Sequence, residues 1–196
     1  MPLTPKAIKK KRFILEKAEK VFIREGYPSV TMKHIVEECG ISRGGLYKYY
    51  SSAQEIFEDI LSLSKEDDYA YFTEGMKQGR NAVELLNGFL QKQKEELVNA
   101  KNTIRAASYE YFLSRRRHLP EEVLGAYFNG AAAVVSRVLS YGIERQEMTR
   151  LALADVERRA RHFVISLEGL NVLAMSMPAS PELIQEQLDL IMAPIV

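Results

Sequence analysis

The sequence predicts an all-α protein of about nine helices, in which a small three-helix unit precedes a larger helical body. Three observations point there. No segment alternates apolar and polar residues with the β-branched content of a strand. Apolar residues recur instead at intervals of three and four over long stretches, the period of a helix with one buried face. Residues that start helices (Thr, Ser, Asn, Pro) and the glycines that stop them fall between those stretches. With 196 residues, the chain can form one large domain or a small domain joined to a larger one.

Taken in order, Thr4 can cap a first helix with Pro5 at its first position, where a missing N–H costs nothing. Ile14, Leu15, Ala18 and Phe22 form its inner side, and Gly26 ends it. Thr31 can cap a second helix with Ile35, Val36 and Cys39 inward, stopped by Gly40. Ser42 can cap a third, short helix running to about Tyr50. A fourth is expected from Ala53 through Ile56, Phe57, Ile60 and Leu61, as far as Lys77, and a fifth from Asn81 to Asn99. A sixth spans Thr103 to Arg116, and Pro120 opens a seventh. That seventh helix is apolar most of the way round and is expected in the middle of its domain. The eighth covers Ala154 to Met177, and Ser180 and Pro181 open the ninth. The last two helices have more apolar surface than one core obviously requires. That surplus is buried either against a partner chain, giving a homodimer through these two helices, or within a larger core of the same chain.

Hydrophobic residues make up 46% and charged residues 27%, an ordinary balance for a soluble globular protein. The longest stretch without Asp, Glu, Lys or Arg is the 14 residues Val123–Ser136, short of the roughly 20 that a membrane-spanning helix needs. The start of the sequence has charge but no apolar run behind it, and there is one cysteine, Cys39. A cytoplasmic protein without disulfides or membrane contact is expected. The net charge of +1 hides a division. Residues 1–50 hold 11 Lys and Arg against 5 Asp and Glu, a net +6, and residues 51–196 hold 16 against 21, a net −5. Such asymmetry suits a basic face for a polyanion and a body with another task.

Chemistry points to DNA. Thr31 to Tyr50 reads as a capped helix, a short turn and a second capped helix, the order of a helix-turn-helix whose second helix enters the major groove. Leu46 and Tyr50, four apart, can face the core with Ile41, which puts Arg43, Gly44, Tyr47 and Lys48 on the opposite side. A guanidinium can bridge guanine O6 and N7, while Lys and Tyr reach phosphates. Gly44 and Gly45 each weaken a helix by about 1 kcal/mol relative to Ala. Two of them in so short a helix suggest a close approach of the backbone to something.

These residues carry a resemblance. Ile14-Leu15-x-x-Ala18-x-x-x-Phe22, Gly26-Tyr27, Thr31-x-x-x-Ile35 and Gly40-Ile41-Ser42-Arg43-Gly44-Gly45-Leu46-Tyr47-x-Tyr49-Tyr50 resemble the N-terminal domain of the tetracycline-repressor (TetR) family of bacterial transcription regulators. The resemblance covers roughly the first 60 residues; beyond them it is one of length and helical layout. It implies a DNA-binding domain over residues 1–52 and a ligand-binding and dimerisation domain over 53–196. It implies phosphate contacts near Thr31, Ser42, Tyr47 and Tyr49, and base reading between Arg43 and Lys48, with Gly44 and Gly45 in that span. The family usually has Lys where this chain has Ala53, a contact that Lys33, Lys48 or the Lys9–Arg12 cluster can replace. Tyr50 stands in place of the usual Phe.

The expected function is a ligand-responsive regulator that binds a palindromic double-stranded operator as a homodimer. A small molecule would release it, and repression is more usual than activation in the family. The alternative is a helical small-molecule-binding or scaffold protein that keeps the head without using it. For the effector site, Phe89, Tyr109, Phe112, Tyr127 and Phe163 are aromatic candidates, and Asn129, Glu168 and Asn171 are polar residues on otherwise apolar helices. Taken singly, each aromatic residue reads as core before it reads as a ligand contact, and Glu168 first as the partner of an arginine such as Arg137 or of a second chain. An enzyme is not expected. The histidines His34, His118 and His162 are far apart, and the sequence has no metal-hydrolase, phosphate-loop or dinucleotide motif. No cofactor and no metal site is expected either.

Overall fold

A computed structural model describes residues 4–116 and 121–195, the side chains of 121–124 and 127 excepted. Among the described residues there are nine α-helices and no strand. They are α1 (Pro5–Glu25), α2 (Met32–Cys39), α3 (Arg43–Tyr47), α4 (Ala53–Lys77), α5 (Ala82–Val98), α6 (Ile104–Arg115), α7 (Glu121–Glu144), α8 (Val156–Ser176) and α9 (Pro181–Met192). The break expected at His118, Leu119 and Pro120 lies outside the described residues. No helix among those described is long and apolar enough to cross a membrane.

Two compact units result, one formed by the chain up to Asp67 with α6, the other by Asp68–Lys101 with α7, α8 and α9. The first unit therefore extends past Ser52, well into α4, and takes in a helix from much later in the sequence.

In the first unit, side-chain caps set the helix starts. The Thr4 hydroxyl accepts from the Ala7 N–H, that of Thr31 from the His34 N–H, and that of Ser42 from the Gly45 N–H at 3.1 Å. Behind the caps, Ile14, Ala18, Phe22, Ile35, Leu46, Ile56 and Phe57 make one core. Phe57 is fully buried, with the rings of Phe22, Tyr27 and Tyr111 centred 4.7, 4.9 and 5.3 Å away. Helix α6 is fixed by polar contacts as well. The Glu110 carboxylate accepts from the Tyr27 N–H at 2.7 Å, the Tyr111 hydroxyl donates to Glu58 at 2.8 Å, and Arg115 donates to Gln54. Burial, reinforced by Glu58, pushes the Tyr111 hydroxyl well above its ordinary pKa, so it stays a donor.

The second unit is built on α5, α7, α8 and α9. Asn81 caps α5, its side-chain oxygen accepting from the Val83 and Glu84 N–H groups. Leu85, Leu86 and Leu90 of α5 join Val138 and Leu139 of α7, Phe163, Leu167 and Leu170 of α8, and Ile184 and Leu188 of α9 in one core. Helix α7 differs from expectation. Its Ala132, Val135, Val138 and Leu139 are buried, but Ala126, Asn129, Gly130 and Ala133 are exposed. Small residues raise its hydropathy without requiring burial, so only one face is interior.

After α7 the chain turns back through Glu147, whose carboxylate accepts from the Ala82 N–H and from the Arg145 guanidinium, both at 2.7 Å. Burial alone would push this carboxyl up; the Ala82 and Arg145 hydrogen bonds outweigh it and hold the pKa below the ordinary value. A carboxylate of lowered pKa adds stability above its unfolded pKa, and that share is lost as pH falls through the folded value. Glu147→Gln is accordingly expected to lower unfolding stability by on the order of 1 kcal/mol at neutral pH, with the difference shrinking in acid. Urea midpoints of the two proteins across that pH range check this, and a gap that widened on acidification would contradict it.

Candidate nucleic-acid interface

Helix α3 is short, and its two sides are sharply different. Gly40, in the left-handed conformation with φ 60°, ends α2 and turns the chain through Ile41 into the Ser42 cap. Leu46 then points inward, fully buried, and Tyr50 follows it in with 1% exposure. Arg43, Gly44, Tyr47 and Lys48 are all exposed on the other side. The Arg43 guanidinium lies 5.5 Å from the Tyr47 ring centroid, so the flat cation and the ring stand together on this face. The expected helix to Tyr50 is regular only to Tyr47; the Tyr49 and Tyr50 N–H groups still donate to the Leu46 carbonyl and hold the last turn.

The two glycines have different surroundings. A Cβ on Gly45 would stand 3.1 Å from the Ser42 hydroxyl oxygen that caps the helix. A Cβ on Gly44 would meet nothing within 4 Å. No contact within the protein requires a glycine at 44, so its bare backbone is open to an outside molecule.

A three-membered network holds the end of this segment. The Tyr50 hydroxyl donates to Asp59 at 2.9 Å, Lys11 pairs with the same carboxylate oxygen at 3.0 Å, and the Lys11 ammonium lies 4.6 Å from the Tyr50 ring centroid. Burial, then Asp59, pushes the Tyr50 hydroxyl far above its ordinary pKa. The Tyr50 hydroxyl thus adds a link from the turn after α3 to α1 and α4, set by Lys11 and Asp59, residues distant in sequence. Of the remaining expected contacts, Thr31 and Ser42 are exposed at their caps, Tyr49 is half-buried, and exposed Lys33 lies 3.8 Å from Glu37.

Comparison with known proteins agrees with this geometry. Residues 14–60 match the family described as bacterial regulatory proteins, tetR family. Residues 85–182 match the tetracyclin repressor-like C-terminal domain. The chain belongs to the TetR family. Among curated relatives, the HTH-type transcriptional regulator YfiR of Bacillus subtilis is 29% identical over 140 residues, 71% of this chain and 68% of that protein. The HTH-type transcriptional repressor AcnR of Corynebacterium efficiens is 29% identical over 86 residues, 44% of this chain and 43% of that protein. A TetR-family regulator from Agrobacterium tumefaciens has the same fold, with a TM-score of 0.74 at 19% identity over 97% of this chain and 99% of that one. This TetR-family member is a DNA-binding transcriptional regulator, not an enzyme.

The expected effector residues of this regulator fall in both units. Tyr109 and Phe112 lie on α6 in the first unit, where Phe112 meets Tyr111 at 5.3 Å. In the second unit, Phe163 is buried with Phe89 centred 6.5 Å away, Glu168 is half-buried and Asn129 is exposed. The Tyr127 side chain lies outside the described residues. Asn171 is 2% exposed, and its amide nitrogen has no hydrogen-bond partner among the described residues. A buried donor left in that state costs about 1–3 kcal/mol. Arg137, the partner considered for Glu168, donates to the Tyr69 hydroxyl at 2.9 Å.

Proposed function

We propose that this regulator is a cytoplasmic repressor that binds a palindromic operator as a homodimer and leaves it when a small molecule enters the second unit. The observation that carries the reading is the outward face of α3, Arg43, Tyr47 and Lys48, on a helix anchored inward by Leu46. Two such helices related by a twofold axis fit successive major grooves, about one helical turn apart. Arg43 is the base reader, and Thr31, Lys33, Ser42, Tyr47, Lys48 and Tyr49 contact phosphates. Dimerisation through α8 and α9 is supported by their outward apolar residues: Ile165 is 58% and Leu190 57% exposed. Between the two helices, Ser166, Leu170, Leu173, Leu190 and Ile191 line a groove of about 470 Å³. Repression is supported by the likeness to AcnR.

Effector binding is supported by Asn171, a buried donor that a ligand carbonyl or carboxylate would satisfy. Phe89, Phe163, Asn129 and Glu168, all of the second unit, belong to that proposed site with Tyr127. Effector binding favours a dimer with a different spacing between its recognition helices. Effector and operator must weaken each other's affinity by the same factor. Footprinting on the DNA flanking the protein's own gene is expected to show one palindromic protected site. A thermal-shift screen of cationic, acyl and aromatic compounds then supplies ligands to add to that complex. Operator affinity unchanged by every compound that raises the melting temperature would end the switching model.

A further inference from the structure

The lysine-rich start of α1 is not one cluster but two, divided by what each side chain meets. On a helix, positions 6, 10, 13 and 17 form one stripe, with 9 beside it. Positions 11 and 12 point elsewhere. Lys11 is bound to Asp59, and Arg12 lies 3.5 Å from Glu16 four residues on. Lys17 reaches Glu38 of α2 at 3.8 Å. Each of these three cations therefore already has a carboxylate. Lys6 and Lys9 are exposed and have no acidic partner among the described residues, and Lys10 lies 4.5 Å from the Phe13 ring centroid with no carboxylate beside it.

The stripe has a direction. Lys17 meets Glu38, and Lys10 stands close enough to the next residue, Cys39, to pull on its thiol against the effect of burial. Cys39 is the last residue of α2, and the Gly40–Ser42 turn leads from it straight into α3. One turn nearer the start of α1, Lys6 extends the stripe, and Lys11, next to Lys10, reaches the Tyr50 ring just after α3. An ammonium on a flexible stem is a point charge without a planar fork, suited to phosphate rather than to the edge of a base.

We infer that Lys6, Lys9 and Lys10 form a second DNA contact, holding the sugar-phosphate backbone that flanks the α3 site without reading sequence. The occupant is the same duplex, because the stripe lies in the same unit as Arg43 and Lys48, its neighbour Lys11 reaches the Tyr50 ring at the end of the α3 segment, and it is not neutralised by acids among the described residues. The inference rests on the DNA-binding reading of the α3 face. Lys11, adjacent in sequence and equally basic, contributes nothing to DNA, since Asp59 holds it.

The test measures binding of the full chain to a mixed-sequence duplex over a range of salt concentrations. Each phosphate contact contributes about 0.9 to the log-log slope. Combining Lys6→Gln, Lys9→Gln and Lys10→Gln is expected to make that slope shallower by about 1.8–2.7 per bound protomer, and Lys11→Gln to leave it unchanged. Circular dichroism checks that the triple variant is folded; if it is not, Lys9→Gln alone, at an exposed and unpartnered position, is expected to cost about 0.9 per bound protomer. An unchanged slope in the folded variant overturns the proposal, as does an equal loss from Lys11→Gln. The α3 reading is judged separately by Tyr47→Ala, which removes a phosphate contact and is expected to weaken binding to the same duplex, so either can fail alone. No binding by the wild type at low salt would overturn both.

Discussion

Replacing Arg43 or Tyr47 by Ala is expected to weaken operator binding by about 1–3 kcal/mol, roughly 5- to 150-fold in Kd, without loss of fold. Both side chains are exposed on α3 and contribute nothing to the core, whose anchor on this helix is Leu46. The two losses should differ in kind. The Arg43 guanidinium can donate to both acceptors of one guanine edge, so its removal should flatten the preference for operator over mixed sequence. The Tyr47 hydroxyl reaches a phosphate, so its removal should weaken both duplexes alike. Because the two side chains stand together at 5.5 Å, the double variant should lose less than the sum of the single losses. Titration of operator and mixed duplex with each variant measures all three effects. Equal losses on both duplexes from Arg43→Ala would remove it as the base reader.

The largest effect on stability is expected from Phe57→Ala, about 3–5 kcal/mol. Phe57 has no exposed surface and is surrounded by Phe22, Tyr27 and Tyr111, so three rings would border the resulting cavity. Those rings come from α1, the turn after it and α6, and they cannot close together without moving a helix. Chemical denaturation followed by circular dichroism measures the loss. Leu153→Ala, at a position 65% exposed, is the control and should stay within about 0.5 kcal/mol of wild type. A Phe57→Ala protein as stable as the control would mean that the aromatic cluster is not the centre of the first unit.

Much of this molecule was legible because its signals are local. Thr4, Thr31, Ser42, Asn81 and Ser180 each start a helix with a side-chain oxygen two or three residues from its donor, and such pairs are visible in a short window. The division of α3 into a Leu46 side and an Arg43 side follows equally from spacing. What escaped was set by distant partners. Glu110 meets the Tyr27 N–H across 83 positions, and Tyr111 meets Glu58 across 53, so nothing near α6 announces the unit to which it belongs. The exposed face of α7 escaped for another reason, since Ala and Gly count as apolar whether or not they are covered. The lysines of α1 look alike in sequence and are told apart only by the acids that fold against some of them.

The attachment of α6 to the first unit bears on how such regulators are recombined by engineers. A chimera spliced after Ser52 would carry the recognition segment but leave behind Phe57, the Tyr111 ring that packs against it and the carboxylate that secures Tyr27. The transplanted piece would then depend on its new host to supply an equivalent aromatic lid. Swaps designed around a cut further along α4, with α6 transferred alongside, keep that inner surface intact.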